Sequence, residues 1–165
     1  MAGPANLEKL FYDGLRDALF AERKALQALR KHARAAKAPE LKQAFETHRE
    51  ETEGQIERLQ QVFEAMGKRA SGKSCPAIEG LADEAEEIIE EYKDSPASDA
   101  GLIAAAQAIE HYEIARYGTL ATWAKQLGMG DAERLLRETL AEEEKTDRLL
   151  TELAEPALNE AAKAA

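Results

Sequence analysis

Leu41, Phe45, His48, Thr52, Gln55, Leu59, Val62 and Met66 follow one another in steps of three and four, the spacing that sets side chains along one stripe of an α-helix. The stripe is apolar at both ends and polar in its middle, with Glu51 one turn beyond His48 and beside Thr52. Polar groups on a buried stripe cost free energy unless something satisfies them. A single such group is ordinarily a hydrogen-bonded core residue. Several at one depth, on different helices, would need a partner in common.

Three other stretches repeat the interruption. A helix expected from Leu7 to about Arg34, with Asn6 as N-cap, has the inner line Phe11, Leu15, Ala18, Glu22, Ala25, Leu29 and His32. Ala18 and Ala25 leave room beside Glu22; taken alone, Glu22 also reads as a solvent-tilted residue paired with Arg23. A short turn through Lys37 and Ala38 then puts Pro39 at the first position of the next helix, which runs to Met66. So short a link between long helices predicts an antiparallel hairpin, and Glu22 and His48–Gln55 stand at comparable distances from it.

A later helix, opened by Ser98 or Asp99 as N-cap and ended at Leu127 by Gly128, has the line Ile103, Ala106, Glu110, Glu113, Tyr117, Leu120 and Ala124. Two carboxylates a turn apart on a buried face repel each other and lose hydration, so one must protonate or a cation must stand nearby. His111 falls off the line, and Trp123 reads as packing. The last helix, from Asp131 as N-cap to Glu155, has the line Leu136, Leu140, Glu143, Asp147, Leu150 and Ala154. Glu142 to Glu144 would ordinarily be a solvated charge run, yet the spacing places Glu143 and Asp147 among the leucines. Pro156 to Ala165 reads as a frayed tail.

Between the second and third long helices, Gly67, Gly72, Pro76 and Ser95-Pro96 break the periodicity, and Ile78 to Tyr92 reads as a short amphipathic helix. The segment is a crossover of roughly thirty residues, long enough to travel the length of a bundle. Its acidic run, Glu84 to Glu91, reads as a solvated face, and Cys75 falls in its loop without a visible partner.

Composition limits the rest. Helix formers dominate and aromatic residues are 5% of the chain, so the fold class is all-α. At 165 residues the chain makes one domain. A net charge of −10 argues against a nucleic-acid groove and against an anionic membrane surface. One cysteine excludes an intrachain disulfide and a thiolate zinc site, and points to the reducing cytoplasm. The N-terminus lacks the pattern of a signal peptide, and no apolar run approaches a membrane span.

The four core lines contain no Lys or Arg to neutralise their carboxylates. A pair of metal ions would satisfy all of them together, as in four-helix bundles that take a Glu from each of two helices and a Glu-x-x-His pair from each of the other two. Oxygen-rich sites with imidazole suit iron or manganese.

These residues resemble the YciF-type family of bacterial ferritin-like proteins, over about Leu7 to Glu155. The matching signatures are Ala21-Glu22, His48-x-x-Glu51-Thr52-x-x-Gln55 followed by Ile56-Glu57-Arg58-Leu59, Glu110-His111-Tyr112-Glu113-Ile114-Ala115-x-Tyr117-Gly118-Thr119-Leu120, and Glu142-Glu143 with Thr146-Asp147. The resemblance implies a ferritin-like four-helix bundle, usually dimeric, linked to bacterial stress responses and without an agreed reaction. The interrupted core lines give the expected site: di-iron, with manganese or zinc as alternatives, and with Glu22, His48, Glu51, Glu110, Glu113, Glu143 and Asp147 as its ligands. Measured against rubrerythrins and bacterioferritins, the second helix reads His-x-x-Glu rather than Glu-x-x-His. On the last helix the expected histidine falls near Lys145, so that Asp147 would substitute.

Three functions follow as expectations: a di-iron or mixed iron–manganese site able to reduce oxygen or peroxide, a non-enzymatic stress or assembly protein, or a many-subunit storage shell. Tyr117 would pack in the core or hydrogen-bond a ligand. For a homodimer, an apolar edge off the inner lines is offered by Leu10, Leu19, Leu26, Ile56 and Phe63.

Overall fold

The computed structural model describes residues 5–163, and they form a helical bundle. Helices α1 (Leu7–Ala35), α2 (Pro39–Ala65), α4 (Ser98–Gln126) and α5 (Gly130–Leu153) are the four long rods; α3 (Pro76–Tyr92) lies within the crossover. Around the bundle α1 packs on α2 and α4, and α5 packs on α2 and α4, while α3 covers α1 and α4. The diagonals are therefore α1–α5 and α2–α4.

Local chemistry sets the boundaries. Asn6 caps α1, its side chain accepting from the backbone N–H of Lys9 at 2.9 Å. Pro39 and Pro76 begin α2 and α3, where their missing N–H costs nothing. Gly128 ends α4 at φ 72, a left-handed conformation that glycine adopts without strain, and Met129 N–H returns to the Ala124 carbonyl at 2.9 Å.

Two expectations at helix ends are corrected. Neither Ser98 nor Asp99 caps α4, whose N-cap is Ala97 without a side-chain bond. The Asp99 carboxylate instead accepts from the backbone N–H groups of Lys37 and Ala38, both at 2.8 Å, and so caps the start of α2 from another helix. Likewise α5 begins at Gly130 rather than after an Asp131 cap. The chain does not fray at Pro156: a π-helical turn, Ala154–Leu158, absorbs the proline, and α6 (Asn159–Ala161) follows.

Every residue of the inner lines expected for α1 and α4 is buried, as are those of α2 except half-buried Met66. The core is not continuous. Phe11, Leu15, Leu59, Val62, Leu120 and Leu136 belong to one apolar cluster, and Leu29, Leu41, Phe45, Leu102, Ile103 and Leu150 to another. Between them in each helix come the polar residues. A third cluster, Ala21, Ala25, Ala28, Cys75, Ile78 and Ile109, seats α3. Leu19 and Phe63, expected on an outer edge, are fully buried in the first cluster and unavailable to a partner, whereas Leu10 is exposed.

Candidate metal centre

His48 of α2, Glu110 and Glu113 of α4 and Glu143 of α5 each aim one ligand atom at a common point, and those atoms all lie within 4.8 Å of one another. All four residues are buried. Helical spacing explains the convergence: Glu110 and Glu113 are one turn apart on α4, and α2 is diagonal to α4, so His48 reaches across the bundle. The His48 Nε2 stands 3.2 Å from Glu110 and 3.4 Å from Glu143.

Glu22 completes the layer from α1. It is fully buried, and Tyr117 donates a hydrogen bond to its Oε1. Gln55, one of the residues that broke the α2 stripe, donates to Glu143 and, at 3.0 Å, to Glu142. Behind His48, the Nδ1 atom faces Glu51 at 3.3 Å and the Thr146 hydroxyl at 3.1 Å. Glu51 is thus separated from the group of four by the imidazole, and its other oxygen binds Lys145 at 2.8 Å. Partners of this kind fix the tautomer and the tilt of a ligating imidazole.

The structure does not bring Asp147 to the group. The buried line of α5 runs Leu136, Thr139, Glu143, Thr146 and Leu150, not through Leu140 and Asp147. Positions 139 and 140, like 146 and 147, differ by 100° around a helix, and either continues a three-and-four pattern. Two threonines therefore took positions that sequence spacing alone assigned to Leu and Asp. Asp147 points to the flank of the bundle, where its Oδ1 meets Gln107 at 3.1 Å and exposed His111 at 3.0 Å. The Thr-x-x-x-Glu-x-x-Thr pattern, small polar residues around a carboxylate, was the available signal.

Electrostatics shows how unsettled this layer is without a cation. Among the described residues, Glu22 Oε2, Gln55 Oε1 and Glu113 Oε1 are buried without a hydrogen-bond partner, and Glu110 Oε2 and Glu143 Oε2 have only the His48 Nε2 that they share. Burial raises Glu22 to about 8, with Glu143 adding repulsion. Burial likewise holds Glu110 and Glu113 well above the usual carboxylate range, with Glu22 the chief repulsive neighbour of Glu113. Burial opposes charge on His48, yet Glu110, Glu143 and Glu51 together keep it well above its ordinary value. Glu143 moves down despite burial, because Glu110, His48 and Gln55 bond to its charged form. The His48 and Lys145 bonds pull Glu51 to about 2. Arg58 does not relieve the layer: it is engaged by Glu142, at 2.6 and 2.8 Å, and by Glu138 at 3.0 Å.

Orphaned buried oxygens cost about 1–3 kcal/mol each, more when charged. A cation inside the ring would satisfy several at once, and carboxylate oxygens with one imidazole are donors that iron and manganese accept. The residues fit a metal.

Residues 6–163 match the family model described as a domain of unknown function, DUF892. The chain belongs to this family. It is 51% identical over 149 residues to protein YciF of Escherichia coli K12, spanning 90% of each chain. The solved structure of that bacterium's YciF, described as a stress protein, superposes with a TM-score of 0.90 at 49% identity, over 94% of this chain and 99% of the other. YcfI of Rhodopseudomonas palustris, described as a proposed structural protein, gives 0.86 at 44%, over 92% and 98%. A Xanthomonas campestris protein at 24% identity shares the fold, with a TM-score of 0.73 over 96% of both chains. The YciF-type resemblance carried by the motifs is thus shown for the DUF892 chain. Among the described residues no helix is long and apolar enough to cross a membrane.

One contact of the region was invisible to sequence spacing. Cys75 is not partnerless: its Sγ lies 2.9 Å from the Tyr112 hydroxyl, which joins the crossover to α4. The two roles expected of Tyr117 are not alternatives: it packs in the core and also hydrogen-bonds Glu22.

Proposed function

We propose that this chain is a ferritin-like metal-binding protein of the bacterial cytoplasm, a single domain whose core holds two iron ions or an iron–manganese pair. His48, Glu22, Glu110, Glu113 and Glu143 are the ligands; Glu51 and Tyr117 orient His48 and Glu22. Gln55 is a further oxygen donor within reach of Glu143. One observation carries the reading: one imidazole and three buried carboxylates from three helices bring ligand atoms within 4.8 Å of one another, while Glu22 Oε2, Gln55 Oε1 and Glu113 Oε1 are unpartnered among the described residues. When bound, such a metal pair supplies electrons for reduction of oxygen or peroxide. The protein's own part is to hold carboxylates close together against their repulsion and to keep bulk water out.

As in the stress protein to which it is similar, a stress-response role follows, and a homodimer is the proposed assembly. Of the apolar residues proposed for a twofold partner, Leu10 is exposed and Leu26 and Ile56 are half-buried, so these three remain available. A storage shell is set aside in favour of this dimer.

The second reading is a non-enzymatic structural dimer with a vestigial site. His48 between Glu51, Glu110 and Glu143 favours it, because that arrangement already neutralises part of the layer without metal. Metal analysis of protein purified without chelator separates the two. Iron or manganese at about two per chain, as bundles of this ligand type hold, supports the metal centre; metal-free protein that fails to take up ferrous iron on anaerobic titration overturns it.

A further inference from the structure

His32 takes no part in the metal centre, yet it is 1% exposed and neither of its ring nitrogens has a partner. Its ring packs against Phe45, with centroids 5.3 Å apart, which accounts for a face of the imidazole but not for its nitrogens. A neutral imidazole still offers one donor and one acceptor, and both are costly to leave unmade.

Two cavities meet at this residue. The outer one, about 40 Å3, opens between α1 and α3 and is walled by Lys24, Gln27, Lys31, Asp83 and Glu86. The inner one, about 10 Å3, lies between α1 and α4 and is walled by Ala25, Leu29, Ala106, Ile109 and the site carboxylate Glu110. His32 and Ala28 line both. The inner cavity is close to the smallest that admits one water-sized molecule. Its walls are small because alanines stand where larger residues would close it. The mouth is crossed by the Lys31–Glu86 ion pair, whose side chains are both about half exposed, and pairs so exposed hold weakly.

We propose that these cavities are a passage by which hydrogen peroxide reaches Glu110 from the α1–α3 surface, with His32, which lines both, as the positioning residue between them. Hydrogen peroxide is little larger than water and carries a donor and acceptor at each end, so it can engage the ring nitrogens that no described protein group satisfies. Dioxygen would gain nothing from them. What the peroxide meets at Glu110 rests on the metal-centre reading; the passage itself does not.

The test uses metal-free protein carrying Ile109→Met as a reporter in the inner cavity. The thioether takes one oxygen from peroxide to give the sulfoxide, and the peroxide leaves as water. Peptide mass analysis follows that addition, with Leu120→Met as the reference, since Leu120 is also buried but belongs to the apolar cluster beyond the polar layer. Oxidation through global unfolding would affect both alike. The reporter at 109 is expected to oxidise roughly tenfold faster than the reference, as the reaction follows access. Adding Ala28→Leu, which fills both cavities, should return it to the reference rate. Should that double variant fail to fold, His32→Phe takes its place with the same expectation. Equal rates at 109 and 120, or a rate untouched by the filling substitution in folded protein, overturns the passage. Because no metal is present, that failure leaves the metal reading standing, and a failure to bind iron leaves the oxidation result standing.

Discussion

The hydroxyl of Tyr117 donates to Oε1 of Glu22, a bond between α4 and α1 in which both residues are fully enclosed. Among the described residues it is the one hydrogen bond that Glu22 makes, its other oxygen being unpartnered there. Burial and the Glu143 charge drive Glu22 upward, and the Tyr117 bond acts in the opposite direction by favouring the charged form. The phenol thus holds a site carboxylate closer to the state a metal requires.

Tyr117→Phe keeps the ring that packs in the apolar cluster and removes only the donor. Stranding a buried oxygen costs about 1–3 kcal/mol, and each kcal/mol lowers the melting temperature of a chain this size by roughly 2–4 °C. Thermal melts of metal-free wild type and variant should show that fall. A variant that melts with the wild type would mean that Tyr117 contributes packing alone.

The pH dependence follows from the raised carboxyls. Glu22 holds its proton up to about 8, and Glu110 and Glu113 also titrate well above their ordinary value of 4.5. The native state therefore binds more protons than the unfolded chain above pH 4.5. Their contribution is fully present below that pH and is lost as pH rises toward 8. Metal-free protein should accordingly lose melting temperature between about pH 5 and 8. Metal ligation needs the deprotonated forms, so the rise in melting temperature produced by ferrous iron should grow over the same window. Differential scanning calorimetry at pH 5, 6.5 and 8, with and without iron, reads both slopes. His32 opposes the first at the acid end: burial lowers it to about 4, so its contribution is lost as pH falls from 6.5.

How far the sequence disclosed this centre depended on what each residue's helix left unambiguous. On α1, α2 and α4 the apolar positions on either side of Glu22, His48, Glu110 and Glu113 pinned the phase, and the structure buries all four. On α5, Leu135, Leu136, Leu140, Leu149 and Leu150 allow two phases. Only packing against the neighbouring helices chose the one with Thr139 and Thr146 inside. The Asp99 bonds to Lys37 and Ala38 span more than sixty positions, and the Cys75–Tyr112 contact depends on how the crossover folds back. No periodicity within a single helix encodes contacts of that range. Leu19 and Phe63 lie off the narrow three-and-four stripe yet are fully buried, because the apolar face of a bundle helix is wider than a two-position seam.

Asp99 offers a test of how the two halves are joined. Its carboxylate is the cap of α2, delivered from the first turn of α4. Asp99→Ala removes both acceptors and should cost about 1–2 kcal/mol, the upper part of the range for capping residues. Asp99→Asn keeps one good acceptor and should lose less. Chemical denaturation would order them wild type, Asn, Ala; an Ala variant as stable as wild type would show that water caps α2 as well.

Glu113 separates a buried acid cluster from a metal centre most sharply, because the two make opposite demands on it. It is held well above its usual range by burial first and then by Glu22, Glu143 and Glu110, so without metal its ionisation is a liability. Glu113→Gln keeps the shape and removes that charge. Metal-free protein should therefore be stabilised, and more at pH 8 than at pH 5, where the wild-type carboxyl already carries its proton. Iron reverses the order. A ligand present at a hundredfold its dissociation constant stabilises the folded state by about 2.7 kcal/mol, and the carboxamide forfeits much of this as a neutral donor to a cation pair. In ferrous iron under argon the wild type should thus gain several degrees and the variant little, so that the wild type overtakes it. If iron leaves the wild-type melting temperature unmoved at every pH, the layer is an acid cluster held by protonation and by His48, and the structural reading of the protein is the correct one.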